Sequence, residues 1–146
     1  CVRAGAGEMT AVVATGDVAY VFRGYPVVYP WGEPASHALE ATFARDPAAM
    51  WALKRHYFDQ QDQFSTDNVL DRTGAFLNGR TDVDGDAVVA DVESDASADA
   101  VQTDLDAGQA AGPSGTPTFY LFRNGEYQTT VSGAQDFTVF ENVLTG

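Results

Sequence analysis

Apolar residues recur along this chain with two different periods, and the places where the period changes divide it into elements. "VAYVFRGYPVV", Val18 to Val28, is β-rich and apolar at both parities apart from Arg23. That pattern predicts a strand over Val18–Arg23 that is covered on both faces, inside an α/β sheet. "YPWGEP" then turns the chain, and Pro34 suits the first position of a helix continuing through "ASHALEATFAR". Asp46-Pro47 repeats the same start signal. The helix after it carries Met50, Trp51, Tyr57 and Phe58 on one stripe, with Lys54 along the edge. Ser65 is placed to cap a third helix with the stripe Val69, Leu70, Thr73, Phe76 and Leu77, and Gly79 to end it. Shorter helices are predicted at Gly85 to Glu93 and at Ala98 to Ala111, the latter capped by Ser97 and stopped by Gly112-Pro113.

After this helical block the period returns to two. Thr118 to Arg123 and Glu126 to Val131 read as strands around Asn124-Gly125, the residue pair that best supports a type I′ hairpin. In "AQDFTVFENVL", Phe137, Phe140 and Leu144 then repeat at helical spacing, with Asp136 near the positive end of the helix. The order is strand, several helices, antiparallel hairpin, helix. It predicts one α/β domain over residues 1–146, its sheet interrupted by a helical subdomain inserted at about residues 33–111.

Charge narrows the function classes. The chain carries 21 acidic residues against 8 basic ones, a formal net charge of -13. Nucleic-acid backbones and anionic membrane surfaces are therefore poor partners, since holding phosphates requires clustered Lys and Arg. The acids are spread over surface-like segments, which suggests adaptation to high salt, where self-repulsion is screened. No run of 18 apolar residues marks a transmembrane segment, and there is no signal-peptide pattern. The sequence opens at Cys1 without a methionine, as in a processed product or an excerpt.

Several chemistries find no support. His37 and His56 lie on separate predicted helices with no cysteine cluster nearby, so no zinc site is expected, and packing is the better role for both. "DVDGDA", Asp82 to Ala87, lacks the spacing and closing glutamate of a calcium loop and reads as a turn leading into a helix. Ser114 and Ser132 lack a nucleophile elbow, and no glycine-rich phosphate loop occurs.

Three stretches, "GDVAYVFRGYPVVYPWGEPASHALEA", "AAMWALKRHYFDQQ" and above all "AAGPSGTPTFYLFRNGEYQTTVSGAQDFTVFENVL", together resemble the DsbA-like branch of the thioredoxin superfamily. The resemblance implies a thioredoxin-like sheet with an inserted helical subdomain. It also implies that the Thr116-Pro117 peptide is cis and that Pro117 faces the active-site sulfur. The Thr116 backbone then pairs with an extended polypeptide substrate, a mode with little sequence preference. The activity implied is that of a protein thiol-disulfide oxidoreductase outside the cytoplasm, secreted or membrane-anchored, needing no metal and no organic cofactor. Its partners are unfolded or extended polypeptides and a redox partner protein.

That chemistry needs a C-x-x-C pair, and the chain has one cysteine. "CVR" at Cys1 resembles the residues beginning at the second cysteine, which makes Cys1 the resolving thiol. The first strand and the start of the active-site helix are then missing from the sequence. Two other readings stay open: Cys1 as the lipid-bearing first residue of a processed lipoprotein, or as an incidental thiol. The function has alternatives too, namely a redox-inactive thioredoxin-fold module that binds peptides or a partner, and a glutathione-dependent isomerase or transferase. Tyr29 and Trp31, which precede the helical insert, either line a peptide groove or lock a connecting turn.

Overall fold

The computed structural model describes residues 18–145. Cys1, and the short apolar run Met9–Ala14, whose periodicity fits helix or strand and which the family resemblance assigns to the end of a helix, lie outside the described residues. The chain divides into two compact units, Arg23–Ala110 and the flanking segments.

The Arg23–Ala110 unit is helical: α1 Gly32–Phe43, α2 Pro47–Asp59, a 3-10 turn Gln61–Gln63, α3 Val69–Arg80, α4 Gly85–Glu93 and α5, which runs Ala98–Ala111. Local chemistry sets most of its boundaries. Asp46 caps α2 by accepting the Ala48 N–H at 2.8 Å, and Pro47 follows where no intrahelical N–H is needed. Asp84 caps α4 through the Asp86 and Ala87 N–H groups, both at 3.0 Å, which accounts for the acid-rich "DVDGDA" turn. Pro34 is in the first turn of α1, but the helix starts two residues earlier, at Gly32. A first-turn proline is tolerated because N–H groups there have no intrahelical acceptor. Ser65 is not the cap of α3. Asn68 holds the N-cap position, and its side chain reaches back to accept the Ser65 N–H at 2.9 Å. Gly79 does not stop this helix, which runs one residue further to Arg80.

α1, α2, α3 and α4 pack on one another around Ala38, Leu53, Val69, Leu77 and Val88, all buried. The α3–α4 approach is close enough that a Cβ on Gly85 would lie 2.9 Å from the Gly74 Cα and press on the Gly74 carbonyl. One polar link crosses this core: Tyr57 Oη and Thr73 Oγ1 are 2.6 Å apart, and Thr73 also donates to the Val69 carbonyl. Burial pushes the Tyr57 phenol well above its ordinary pKa, against the smaller opposing effect of that hydrogen bond. α5 is tied down by charge. Asp104, nearly buried, accepts from Arg23 Nη1 at 2.6 Å with one oxygen and from the Gly24 N–H at 2.7 Å with the other. Glu40 shares this neighbourhood; burial, and then the Asp104 carboxylate, raise its pKa while Arg23 lowers it.

The second unit holds β1 Thr118–Arg123, β2 Glu126–Ser132 and α6, which runs Phe137–Thr145. The strands pair antiparallel through Asn124-Gly125, whose φ values of 53° and 81° give the left-handed pair a type I′ turn requires. The register slips between Leu121 and Phe122, so that Leu121 faces Thr129 while Phe122 faces Tyr127, leaving Gln128 as a bulge. The slip turns Tyr127 to the side of Phe122, with ring centroids 5.8 Å apart. On the opposite face Leu121 and Val131 pack with Phe140 of α6, and Phe119 meets Phe140 edge to face at 4.9 Å.

Among the described residues, Val18–Arg23 forms no strand with another segment. Burial alternates along it, with Val18, Tyr20 and Phe22 half-covered and Ala19, Val21 and Arg23 exposed. An apolar run records which residues favour a sheet but not whether a ladder forms, which depends on a neighbouring strand. Arg23, the exception in that run, is the ion-pair partner of Asp104. The described residues thus form a mixed α/β protein in which a helical unit precedes a hairpin and a closing helix.

Candidate functional site

Pro117 stands immediately before β1, and the Thr116-Pro117 peptide bond is cis. Proline offers no N–H to a ladder, but its carbonyl can still accept, and Pro117 O receives the Gly133 N–H at 2.8 Å. This bond continues the hairpin one step beyond the Thr118–Ser132 pair. Gly133 has φ 79°, a left-handed conformation that favours glycine, and there the chain leaves the sheet toward α6. On the other side, the Thr118 hydroxyl donates to the Gly115 carbonyl at 2.6 Å and closes the loop before the proline. Thr116 and Pro117, both half-buried, are thus held between two backbone-anchored turns at one end of the hairpin. Cys1 lies outside the described residues.

A concavity of about 340 Å³ belongs to the helical unit. Its wall is aromatic. Trp31, buried at the N-cap of α1, stacks on Tyr29 with centroids 5.6 Å apart and planes 16° from parallel, and contacts Phe64 at 5.1 Å and Tyr57 at 5.9 Å. Asp62, Ser65 and Thr66 form its polar rim. Tyr29 and Trp31 therefore stack on each other in the turn before α1 and line this concavity. Phe64 and Asp62 carried no sequence signal, because a 3-10 turn has too few residues to show a period.

The histidines are packing residues. His37 is buried in α1, and His56 stacks on Phe76 at 4.3 Å and meets Phe64 edge to face. Burial, followed by Arg72, lowers the His56 pKa. Among the described residues, no three His, Cys, Asp or Glu side chains come together as a metal site, and no helix is long and apolar enough to cross a membrane.

Lys54, the single lysine, lies over the rings of Trp51 at 5.3 Å and Phe58 at 4.9 Å. Burial, with a smaller push from Arg55, lowers its pKa from 10.5 to about 8. Between those two values the unfolded chain binds more protons than the folded one, so stability rises with pH across that window. Lys54→Met is expected to flatten that rise. It should also raise stability at pH 7 by about 1–2 kcal/mol, after allowing for the ring contacts that favour the ammonium. Urea denaturation at pH 7 and pH 10 checks this; an unchanged difference between the two pH values would contradict it.

A helical unit followed along the chain by a hairpin and a packed helix, with a cis proline at the hairpin's entry, is a mixed α/β arrangement consistent with a thioredoxin-like fold. Residues 33–145 match the model of the DSBA-like thioredoxin domain, and the chain belongs to this family, which is of the thiol-disulfide oxidoreductase type. No curated protein and no solved structure matches the chain.

Proposed function

We propose that this protein is a thiol-disulfide oxidoreductase acting on extended polypeptides, with Cys1 as the resolving thiol of a C-x-x-C pair whose nucleophile stands three residues upstream. The observation that carries this reading is the family match, which runs through the helical unit and the Thr116-Pro117 hairpin to α6. In the reductive direction the nucleophilic thiolate attacks one sulfur of a client disulfide and expels the other as a thiolate. The Cys1 thiolate then attacks the enzyme sulfur of the mixed disulfide, releasing the second client thiol and leaving an enzyme disulfide. A partner dithiol restores the enzyme by the same exchange. Oxidation of a client is the reverse sequence. A helix N-terminus stabilises the nucleophilic thiolate and makes the enzyme disulfide oxidising. Thr116 and Pro117 hold the client chain beside the sulfur by main-chain pairing.

Such chemistry belongs outside the cytoplasm, where disulfides persist, and the acidic composition suits a high-salt milieu. The test is insulin reduction and dithiol-peptide oxidation by the whole gene product. Acceleration of either over the uncatalysed rate supports the proposal, and the absence of both defeats it. The single cysteine among 146 residues favours a second reading, a redox-inactive module that binds extended peptides. That reading predicts peptide binding with no exchange in the same assays.

A further inference from the structure

We propose that the aromatic concavity of the helical unit seats a basic side chain, arginine foremost, of an extended polypeptide, with Tyr29, Trp31 and Phe64 as its wall and Asp62 as counter-ion. The inference rests on the polypeptide-handling reading above and adds a side-chain preference to it. The wall is built before any ligand arrives: Trp31 is 9% exposed and clamped by Phe64 and Tyr57, while Tyr29, 40% exposed, lies parallel to it. Binding therefore orders few groups that are not already ordered. A planar guanidinium stacks on such rings and is drawn to their faces.

Charge selects the occupant. Among the described residues lining the concavity, Asp62 is the only ionisable side chain apart from Tyr29, and none is basic. The chain's net charge of -13 further favours a cation. Two features oppose one. The N-terminus of α1 begins at the wall, but Glu33 in its first turn offsets that positive end. Arg72 lies over Phe64 at 4.9 Å, with its guanidinium held by the side-chain oxygens of Gln60 at 3.1 Å and Gln63 at 2.9 Å. Its charge repels a second cation, which makes the Asp62 carboxylate necessary. It also shows the combination of ring face and amide oxygen that this part of the fold offers a guanidinium. An uncharged apolar side chain would cover Asp62 without pairing it, and an acidic one would add repulsion.

The experiment titrates the whole protein with acetyl-Gly-Arg-Gly-amide and with its citrulline, Phe and Glu counterparts. The indole N–H resonance of Trp31, assigned with Trp31→Phe, reports binding. The Arg peptide is expected to shift that resonance saturably and to bind about fivefold or more tighter than the citrulline peptide. Asp62→Asn, at an exposed position, is expected to reduce this preference below about twofold with the fold unchanged by circular dichroism. Tyr29→Ala is expected to weaken the Arg peptide by about fivefold. Equal binding of the Phe or citrulline peptide, a preference that survives Asp62→Asn, or an unmoved Trp31 resonance overturns the inference. Insulin reduction measured on the same sample separates the two proposals: discrimination without exchange defeats the redox reading alone, and exchange without discrimination defeats this one alone.

Discussion

Cys1→Ser, made in the whole gene product, is expected to arrest disulfide exchange halfway. If Cys1 resolves the mixed disulfide, serine in its place leaves the first attack intact. The nucleophilic thiolate still opens a client disulfide and becomes bonded to it. Release then requires a second thiolate within reach, and a serine hydroxyl, neutral at pH 7 and a poor nucleophile toward sulfur, cannot supply one. Turnover in insulin reduction should fall by roughly two orders of magnitude, because residues that act as a unit lose nearly the whole effect when one is removed. The enzyme–client adduct should accumulate, visible by intact mass and discharged by dithiothreitol. A lipid-anchoring or incidental Cys1 predicts something else: unchanged turnover and no adduct.

Gly85→Ala is expected to destabilise the helical unit, while the same substitution at Gly79 is expected to stabilise it. Gly85 opens α4 against α3, where an added Cβ would lie 2.9 Å from the Gly74 Cα and 3.0 Å from its carbonyl carbon. Those are backbone atoms, so relief requires the two helices to separate. Separation would also stretch the Gly85 N–H bond to Asn78 Oδ1, now 2.7 Å. A cost of about 2–4 kcal/mol follows, at the upper end of the range for overpacking. For a domain of this size that is a fall in Tm of roughly 10 °C. Gly79 is exposed within α3, and a Cβ there meets nothing within 4 Å. Alanine should gain about 0.5–1 kcal/mol there from helix propensity. Thermal unfolding of the two variants beside the parent decides the matter, and equal signs would contradict the packing argument.

The elements that sequence reading placed well are those fixed by neighbours in the chain. The Asn124-Gly125 turn lies between the two predicted strands, Asp46-Pro47 starts α2, and Gly85 to Glu93 is α4 to the residue. Each depends on a cap, a φ preference or a single stripe, all of which act over a few residues. The Val18–Arg23 strand failed because a strand is a relation between two segments, and its apolar residues say nothing of the partner. At the candidate site, Thr116 and Pro117 were legible through the family resemblance. Their anchoring by Gly133, sixteen residues after Pro117, was not. Nor was the aromatic concavity, which joins Tyr29 and Trp31 to Phe64 across two helices.

The sequence by itself determined the order of helices and hairpin, the bounds of α4 and α5, the hairpin turn, the acidic character of the chain, and its kinship with the DSBA-like thioredoxin family. Tertiary structure decided which distant residues meet: Gly74 with Gly85, Arg23 with Asp104, Trp31 with Phe64. The division has a physical cause. Caps, turns and stripes are settled by forces that act within a turn or two of the chain, whereas packing contacts form only when the whole core closes and excludes water around them.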